Sequence, residues 1–120
     1  MAAEGIGGLN EAQTKLGFMY LKGKGVPRDY TEAAKLFHKA TEGFGGDTEA
    51  QNNLGLMYLK GQGIPRDYVT AYMWFSLAAA KGDEDSQKIL DDLERKLTPD
   101  QIAEGQKLAR EWQAKQPYYP

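Results

Sequence analysis

LGFMYLKGKGVPRDY at residues 16–30 recurs as LGLMYLKGQGIPRDY at residues 54–68. The similarity extends outward from this stretch, because aligning residues 12–42 with residues 50–80 gives 17 identical pairs out of 31. The two copies are offset by 38 residues. Repeats of this length are typical of stacked helical hairpins, in which each copy supplies two helices. The sequence therefore predicts an array of repeats and not one irregular domain.

The first half of each copy has the spacing of an amphipathic α-helix. In the first copy, offsets 0, 4, 7 and 8 carry the apolar residues Ala12, Leu16, Met19 and Tyr20. This spacing places them on one face of a helix, and a strand cannot produce it. Gly17 lies beside this face, where the missing side chain lets a second helix approach closely. We expect Met19 and its counterpart Met57 to lie in the core.

In each copy, the first helix is followed by a loop that ends it and by the start of a second helix. Residues 23–27 and 61–65 combine two glycines, which suit a left-handed cap, with a proline that cannot continue the hydrogen-bond ladder. Asp29 is the predicted N-cap of a second helix, with Glu32 reaching back to it, and Asp67 repeats the cap. The inner faces of the two second helices carry Ala33, Leu36, Phe37 and Ala40 in the first copy and Ala71, Trp74, Phe75 and Ala78 in the second.

The chain is predicted to end in a degenerate third unit. Its apolar spacing continues through Leu90 and Leu93, but Asp91 and Glu94 replace the glycine and tyrosine of the repeat. Residues 98–101, Thr-Pro-Asp-Gln, predict the start of a final helix that runs to about Lys115. A terminal unit with a polar outer face keeps a repeat array soluble.

The predicted domain organisation is a single repeat domain. Residues 1–9 are glycine-rich without helical periodicity and are predicted to be a flexible segment, so the first helix is expected to begin at Asn10, capped with Gln13. The remaining boundaries are a domain at 10–116 with repeats at about 12–49 and 50–85, a C-terminal cap at 86–115, and a tail at 117–120.

The recurring pattern Ala-x-x-x-Leu-Gly-x-x-Tyr-x-x-Gly-x-Gly-Val, followed by aspartate and by alanine and aromatic residues, resembles the Sel-like repeat family, which is related to the tetratricopeptide repeats. The resemblance covers residues 12–86. It implies an all-α fold, an α/α superhelical solenoid of two full helix-pair repeats plus a degenerate capping helix pair. The first copy is longer than the second by two residues within 42–46, which should lengthen one turn and leave the stack intact.

Composition excludes several classes of function. A net charge of -2 and a pI near 5.4 provide no general attraction to nucleic acid. The absence of cysteine removes disulfides, thiolate metal sites and thiol nucleophiles. No apolar run approaches the roughly 18 residues that cross a bilayer, and residues 1–10 lack the features of a signal peptide. We expect a soluble chain without membrane insertion, and the compartment stays open.

The residues that carry chemistry do not form a catalytic or metal-binding pattern. His38 is the only histidine and is interpreted as a partly exposed surface residue. Ser76 and Ser86 stand outside nucleophile motifs, and the acidic run 83–85 is interpreted as a solvated helix start because it lacks the rest of a calcium loop. The Gly-x-Gly segments follow helices, so they are turns and not phosphate loops. We therefore predict no enzyme activity, no cofactor and no metal.

Projection of the first helices at about 100° per residue identifies a second face, opposite the core stripe. The residues on it are Thr14, Phe18, Leu21, Asn52, Leu56, Leu59, Lys88, Asp92 and Arg95. The family resemblance implies that first helices line a concave groove, so these residues predict an apolar floor with a charged end. Contiguous exposed apolar residues mark interaction sites. The alternative is that they pack on neighbouring first helices.

The predicted function is a protein-interaction adaptor that binds a peptide or helix of a partner protein in this groove. The alternative is a homo-oligomeric assembly module, in which an uncovered N-terminal face or the groove pairs two chains. Cations gather at the hairpin-loop edge at Lys22, Lys24, Arg28, Lys60 and Arg66. Compensation of the helix dipole explains these cations, and a binding role is the other interpretation.

Overall fold

The computed structural model describes residues 2–42 and 46–116, with side chains from Leu9 onward. Within these ranges the chain is all-α, with six helices: α1 (Ala2–Lys22), α2 (Tyr30–Ala40), α3 (Thr48–Lys60), α4 (Tyr68–Ala80), α5 (Glu84–Lys96) and α6 (Pro99–Ala114). Helices adjacent in sequence pack in turn from α1 to α5, and α6 also packs on α4. The predicted solenoid of two helix-pair repeats plus a further pair is confirmed.

The predicted helix starts are confirmed by their caps. Asp29 accepts a hydrogen bond from the Glu32 backbone N–H at 3.1 Å. Asp67 accepts one from the Thr70 backbone N–H at 3.0 Å and a second from the Thr70 hydroxyl at 2.7 Å, so threonine gives this cap an added bond. Both halves of the capping box form between Thr98 and Gln101. The acidic run is also a helix start, with Asp83 as the N-cap of α5.

The glycine loops have the same geometry in both repeats. Each contains two residues in the left-handed region, with φ between +70° and +77°: Gly23, Gly25, Gly61 and Gly63. Each loop is closed by one equivalent backbone bond, from the Asp29 N–H to the Tyr20 carbonyl at 2.9 Å and from the Asp67 N–H to the Tyr58 carbonyl at 3.0 Å. The positive φ is the reason that glycine recurs here.

A phenylalanine ring lies directly against a bare helix backbone in each hairpin. A Cβ atom on Gly17 would lie 2.8 Å from Phe37 Cε1, and one on Gly55 would lie 2.8 Å from Phe75 Cε1. Both rings are completely buried. The glycines therefore permit the close helix crossing that the sequence predicted, because any side chain there would displace a core ring.

Burial differs sharply between equivalent positions of the two repeats. Leu54 and Met57 on α3 are 0% and 1% exposed, whereas their counterparts Leu16 and Met19 on α1 are each 39% exposed. The reason is that α2 packs on α3, while no described helix precedes α1. The core assignment is confirmed for Met57 and wrong for Met19.

The predicted start of the first helix at Asn10 is also wrong, since α1 begins at Ala2. Asn10 lies inside the helix, where its amide Nδ2 donates to the Glu42 carbonyl at 3.4 Å and its carbonyl accepts from the Thr14 hydroxyl at 3.1 Å. Apolar periodicity indicates burial against a neighbouring helix, and Leu9, the residue before Asn10, is 56% exposed although it is helical.

The third unit is held to α4 by residues that depart from the repeat. Glu94, which stands where the repeat has tyrosine, accepts a hydrogen bond from the Tyr72 hydroxyl at 2.7 Å. Gly105 of α6 lies so close that a Cβ atom there would be 2.6 Å from Tyr72 Cδ1. Burial, with the adjacent Glu94, raises the pKa of Tyr72. The capping pair thus packs on α4 by its own contacts.

The connections also differ in length. Residues 41–47 link α2 to α3, whereas residues 81–83 link α4 to α5, in agreement with the predicted longer turn. Residues 43–45 within that turn and the predicted tail at 117–120 lie outside the described residues. Across the helices that the structure describes, none has the length and apolar character needed to cross a membrane.

Substitution of Gly55 by leucine should unfold the second hairpin or destabilise it by about 2–3 kcal/mol, because the side chain must displace Phe75 in a filled core. A thermal melt followed by circular dichroism measures the change. The milder Gly55→Ala substitution should be partly rescued by Phe75→Leu, which makes room for the added methyl group. An unchanged melting temperature for Gly55→Leu would contradict the close crossing.

Candidate functional site

In the first repeat, the predicted groove residues are largely engaged in packing. Thr14 is buried, with its hydroxyl bonded to the Asn10 carbonyl. Phe18 is partly buried and meets Phe37 edge to face, with ring centroids 5.5 Å apart. Leu21 packs on the same core cluster. Only part of each apolar side chain on this face of α1 is left at the surface.

In the second repeat, the equivalent residues contact α5. The Asn52 amide donates to Ser86 Oγ at 2.7 Å and to Asp83 Oδ2 at 3.4 Å. Leu56 and Leu59 pack, partly buried, on the cluster that holds Leu90 and Leu93. The alternative interpretation, packing between neighbouring first helices, therefore accounts for part of their apolar surface. Whether the remainder binds a partner stays a prediction.

The third set of predicted groove residues lies on α5 and is solvent-exposed. Lys88, Asp92 and Arg95 are all exposed, and Arg95 pairs with Asp92 one helical turn away. An exposed pair at this spacing contributes only about 0.3–0.5 kcal/mol, so either side chain is available for another contact. These charged side chains lie at the surface of the third unit, and their place at the end of a groove stays a prediction.

A pocket of about 620 Å³ opens beside Leu59, and we call it the C-terminal pocket. It lies where the last turns of α3 and α5 meet the first turns of α4 and α6. Its lining consists of Leu59, Lys60, Arg66, Tyr68, Leu93, Lys96, Leu97 and Gln101. Leu59 is the one predicted groove residue in this set. The pocket therefore combines an apolar floor with a polar edge.

The charges at the C-terminal pocket have one sign. Lys60, Arg66 and Lys96 are exposed, and the lining includes no carboxylate. The Arg66 guanidinium carbon lies 6.0 Å from the centroid of the Tyr68 ring, at the outer limit of a cation–π contact. The nearby carboxylate of Asp67 is already engaged by Thr70. A ligand that meets this edge encounters a positive surface.

The C-terminal pocket is open because the third unit lacks a glycine loop. At the junction of the first two repeats, Gly63 lies against the start of α2, so close that a Cβ atom there would be 2.5 Å from the Tyr30 carbonyl carbon. In the third unit only Leu97 and Thr98 join α5 to α6. Tyr68, the counterpart of Tyr30, is left 44% exposed.

Sequence reasoning missed most of this pocket. It found Leu59 as a groove residue and found Lys60 and Arg66 as a cluster of cations, which helix-dipole compensation explained. It did not assign Tyr68 or Leu97 to a site. The available signal was the spacing between the last two helices, because the absence of Gly-x-Gly after α5 removes the loop that would cover the tyrosine.

His38 takes part in contact between the repeats. Its ring lies edge to face against Tyr58 and Trp74, with centroid distances of 6.2 and 5.8 Å, and Nε2 is 3.5 Å from the Tyr58 hydroxyl. Burial lowers the pKa of His38, and the charge of Glu42 opposes this effect. The described side chains include no group of three or more metal-ligating residues. His38 is partly exposed, as predicted, and packs across the repeat boundary.

The sequence model of the Sel1 repeat matches residues 10–43 and 48–83. The chain belongs to the Sel1 repeat family. Sel1 repeats generally mediate protein–protein interactions, and proteins built from them are typically non-catalytic scaffolds. No curated protein sequence is significantly similar to this chain.

Two solved structures of related proteins share the fold. One is c5321, a protective antigen present in uropathogenic Escherichia coli strains and displaying an SLR fold; it is 34% identical, with a TM-score of 0.80 over 95% of this chain and 24% of its own. The other is a Sel1 repeat protein from Oxalobacter formigenes, 43% identical, with a TM-score of 0.66 over 76% of this chain and 65% of its own. This Sel1 repeat chain thus spans about a quarter of the length of c5321.

Proposed function

We propose that this Sel1 repeat chain is a non-enzymatic adaptor that binds a peptide or helix of a partner protein on its first-helix surface. That surface comprises the partly buried apolar residues of α1 and α3, the charged face of α5, and the C-terminal pocket at its end. The observation that carries the proposal is this pocket, because its apolar floor and charged edge match the composition of interaction sites.

The energetics of the surface favour binding of a protein segment. Tyr68, Leu59 and Leu97 offer aromatic and aliphatic area that water covers in the free chain. Burial of such area contributes about 25 cal/mol per Å², and aromatic residues and arginine are enriched among the residues that dominate binding energy. A partner that covers both Tyr68 and Arg66 would therefore gain binding free energy from each contact.

The proposal includes no catalytic step and no cofactor. The chain has one histidine and no cysteine, and the histidine ring packs between two aromatic rings of the repeat boundary. The charged groups at the C-terminal pocket are cations on flexible stems, and its lining includes no carboxylate, histidine, cysteine or serine. An arrangement of this kind binds a ligand without transforming it.

Selection of a phage-displayed peptide library on the immobilised chain tests the adaptor function. We expect enrichment of a peptide consensus whose binding shifts the amide NMR signals of α3 and α5. Reversal of two charges, Lys88→Glu with Arg95→Glu, should alter its affinity several-fold, since each exposed ion pair contributes up to about 1 kcal/mol. The control Lys35→Glu with Lys39→Glu, on exposed positions of α2, should leave the affinity unchanged. Failure to enrich any peptide, or binding confined to α2 and α4, would contradict the proposal.

A second candidate function is self-assembly, and the exposed face of α1 favours it. Leu9, Leu16 and Met19 lie on one side of this helix and are among the most exposed large apolar residues of the described chain. Glu11 and Lys15 pair at 3.5 Å along its edge. In an antiparallel two-fold pairing, Glu11 of one copy would face Lys15 of the other, which makes the face self-complementary.

Light scattering behind a sizing column, at several loadings, tests self-assembly. A monomer has a mass of 13.3 kDa. If the chain self-assembles, the mass rises toward twice this value as the loading increases. Leu16→Glu should abolish the rise, because burying an unpaired charge in the contact costs too much free energy. A mass that stays at the monomer value at every loading would remove this candidate.

A further inference from the structure

We propose that the C-terminal pocket binds an acidic peptide segment of a partner protein, with a small residue and a bulky apolar residue adjacent to each other. The inference rests on the adaptor function proposed above and gives that function a defined ligand class. It follows from two independent features of the pocket: the chain segment that fills the equivalent space at the other repeat junction, and the sign of the charge at its edge.

The first repeat junction contains an internal template for the ligand. There, the loop between α3 and α4 places the backbone of Gly63 against the Tyr30–Thr31 peptide at the start of α2. The next residue, Ile64, is partly buried against the core cluster. A small residue followed by an aliphatic one is therefore the segment that this kind of junction accepts.

At the second junction, the corresponding segment is missing. The start of α4 is equivalent to the start of α2, since Arg66 and Tyr68 repeat Arg28 and Tyr30. Only Leu97 and Thr98 lie between α5 and α6, so this connection contains no glycine turn that could reach Tyr68. The exposed ring and the pocket beside it mark the space that the loop fills at the first junction. A peptide from another protein can supply that missing segment.

The charge at the pocket selects an acidic ligand. Lys60, Arg66 and Lys96 surround an apolar floor, and the pocket lining supplies no acidic partner. The acids of the elements packed here lie outside the lining. Asp67 is occupied as the α4 cap, and Asp100 belongs to the first turn of α6. On α5, Glu94 accepts from the Tyr72 hydroxyl and Asp92 pairs with Arg95. Carboxylates of a peptide would pair with these cations, and the arginine can donate two parallel hydrogen bonds to one carboxylate.

The size of the pocket fits a short segment and not a helix. A volume of about 620 Å³ lies within the range of roughly 300–1,000 Å³ typical of pockets for small ligands. The side-chain oxygen of Gln101 is held by the Thr98 N–H at 2.9 Å, which fixes this wall of the pocket. A few extended residues fill such a space, and the flanking acids of the peptide reach the cations at the edge.

The probe for the test is the acetylated hexapeptide Glu-Glu-Gly-Ile-Glu-Glu, with two analogues in which Gln or Lys replaces every Glu. Titration of the full chain with each peptide is followed by amide NMR. We expect the acidic peptide to shift the signals of Lys60, Tyr68 and Leu97 and to bind more weakly as salt rises, because ions screen exposed charges. The Gln analogue should bind at least about tenfold more weakly, and the Lys analogue should not bind.

A matched pair of variants locates the binding site. The first variant removes the three cations of the pocket by combining Lys60→Gln, Arg66→Gln and Lys96→Gln. It should weaken the affinity for the acidic peptide by about tenfold or more, since each exposed cation contributes up to about fivefold to the affinity. The control, Lys22→Gln with Arg28→Gln, removes the equivalent cations at the junction that the Gly63 loop already fills. It should leave the affinity within about twofold. All of these side chains are exposed, so both variants should fold.

Other outcomes would overturn the proposal. Equal binding of the acidic peptide and the Gln analogue would remove the charge argument, and equal loss in the two variants would place the site elsewhere. If binding does not saturate at millimolar concentrations of the acidic peptide, acidic peptides are not the ligands of this pocket. If the selected library peptides bind along α3 and α5 while the acidic hexapeptide does not bind the pocket, the adaptor function stands and the pocket assignment falls. If neither kind of peptide binds, both proposals fall.

Discussion

The contact of a buried phenylalanine ring with a bare helix backbone is the constraint on which the whole structure depends. Phe37 lies against Gly17 and Phe75 against Gly55, at distances that leave no room for a Cβ atom. This contact fixes how closely the two helices of a hairpin approach, and the glycine loop with its aspartate cap fixes where the second helix begins. Every later feature of the stack follows from two hairpins of one geometry.

The same geometry explains why the ends of the stack differ from its centre. Each first helix offers an apolar face to the second helix of the preceding repeat, and among the described helices α3 and α5 have such a neighbour whereas α1 does not. At the other end, the capping pair meets α4 through Glu94 and Gly105, without the glycine loop that covers Tyr30. Within the described residues, the exposed face of α1 therefore reflects the absence of a neighbour like α2, and the pocket lies where the third unit departs from the repeat.

The features that could be predicted from the sequence are those set locally within one repeat. The loops, the caps at Asp29 and Asp67 and the capping box at Thr98 depend on a few adjacent residues. The close approach at Gly17 and Gly55 depends on a phenylalanine of the same repeat. The exposure of Met19 could not be predicted from its pattern, because it shares that pattern with buried Met57 and differs only in its neighbours. Helix α1 also extended past Asn10 without the apolar spacing that signals a helix.

The candidate site could be predicted only in part, because the burial of its residues also depends on the neighbouring helices. The face opposite the core stripe stays a predicted binding surface, and the angular projection cannot show how much of Leu56 or Leu59 a neighbouring helix covers. The C-terminal pocket depends on a missing loop in the third unit, which becomes informative only when Tyr68 is compared with Tyr30 in three dimensions. Local chemistry specified the repeat, and the contacts between repeats specified the candidate site.

Position in the stack, and not residue type, decides the burial of equivalent residues in the two repeats. Comparison of Met19→Ala with Met57→Ala tests this most directly, by urea unfolding at protein concentrations low enough to keep the chain monomeric. Met57→Ala should cost about 2–4 kcal/mol, because it leaves a cavity between α2 and α3, and Met19→Ala should cost under about 1 kcal/mol. Equal costs at the two positions would contradict the account, since they would mean that the outer face of α1 is covered as fully as that of α3.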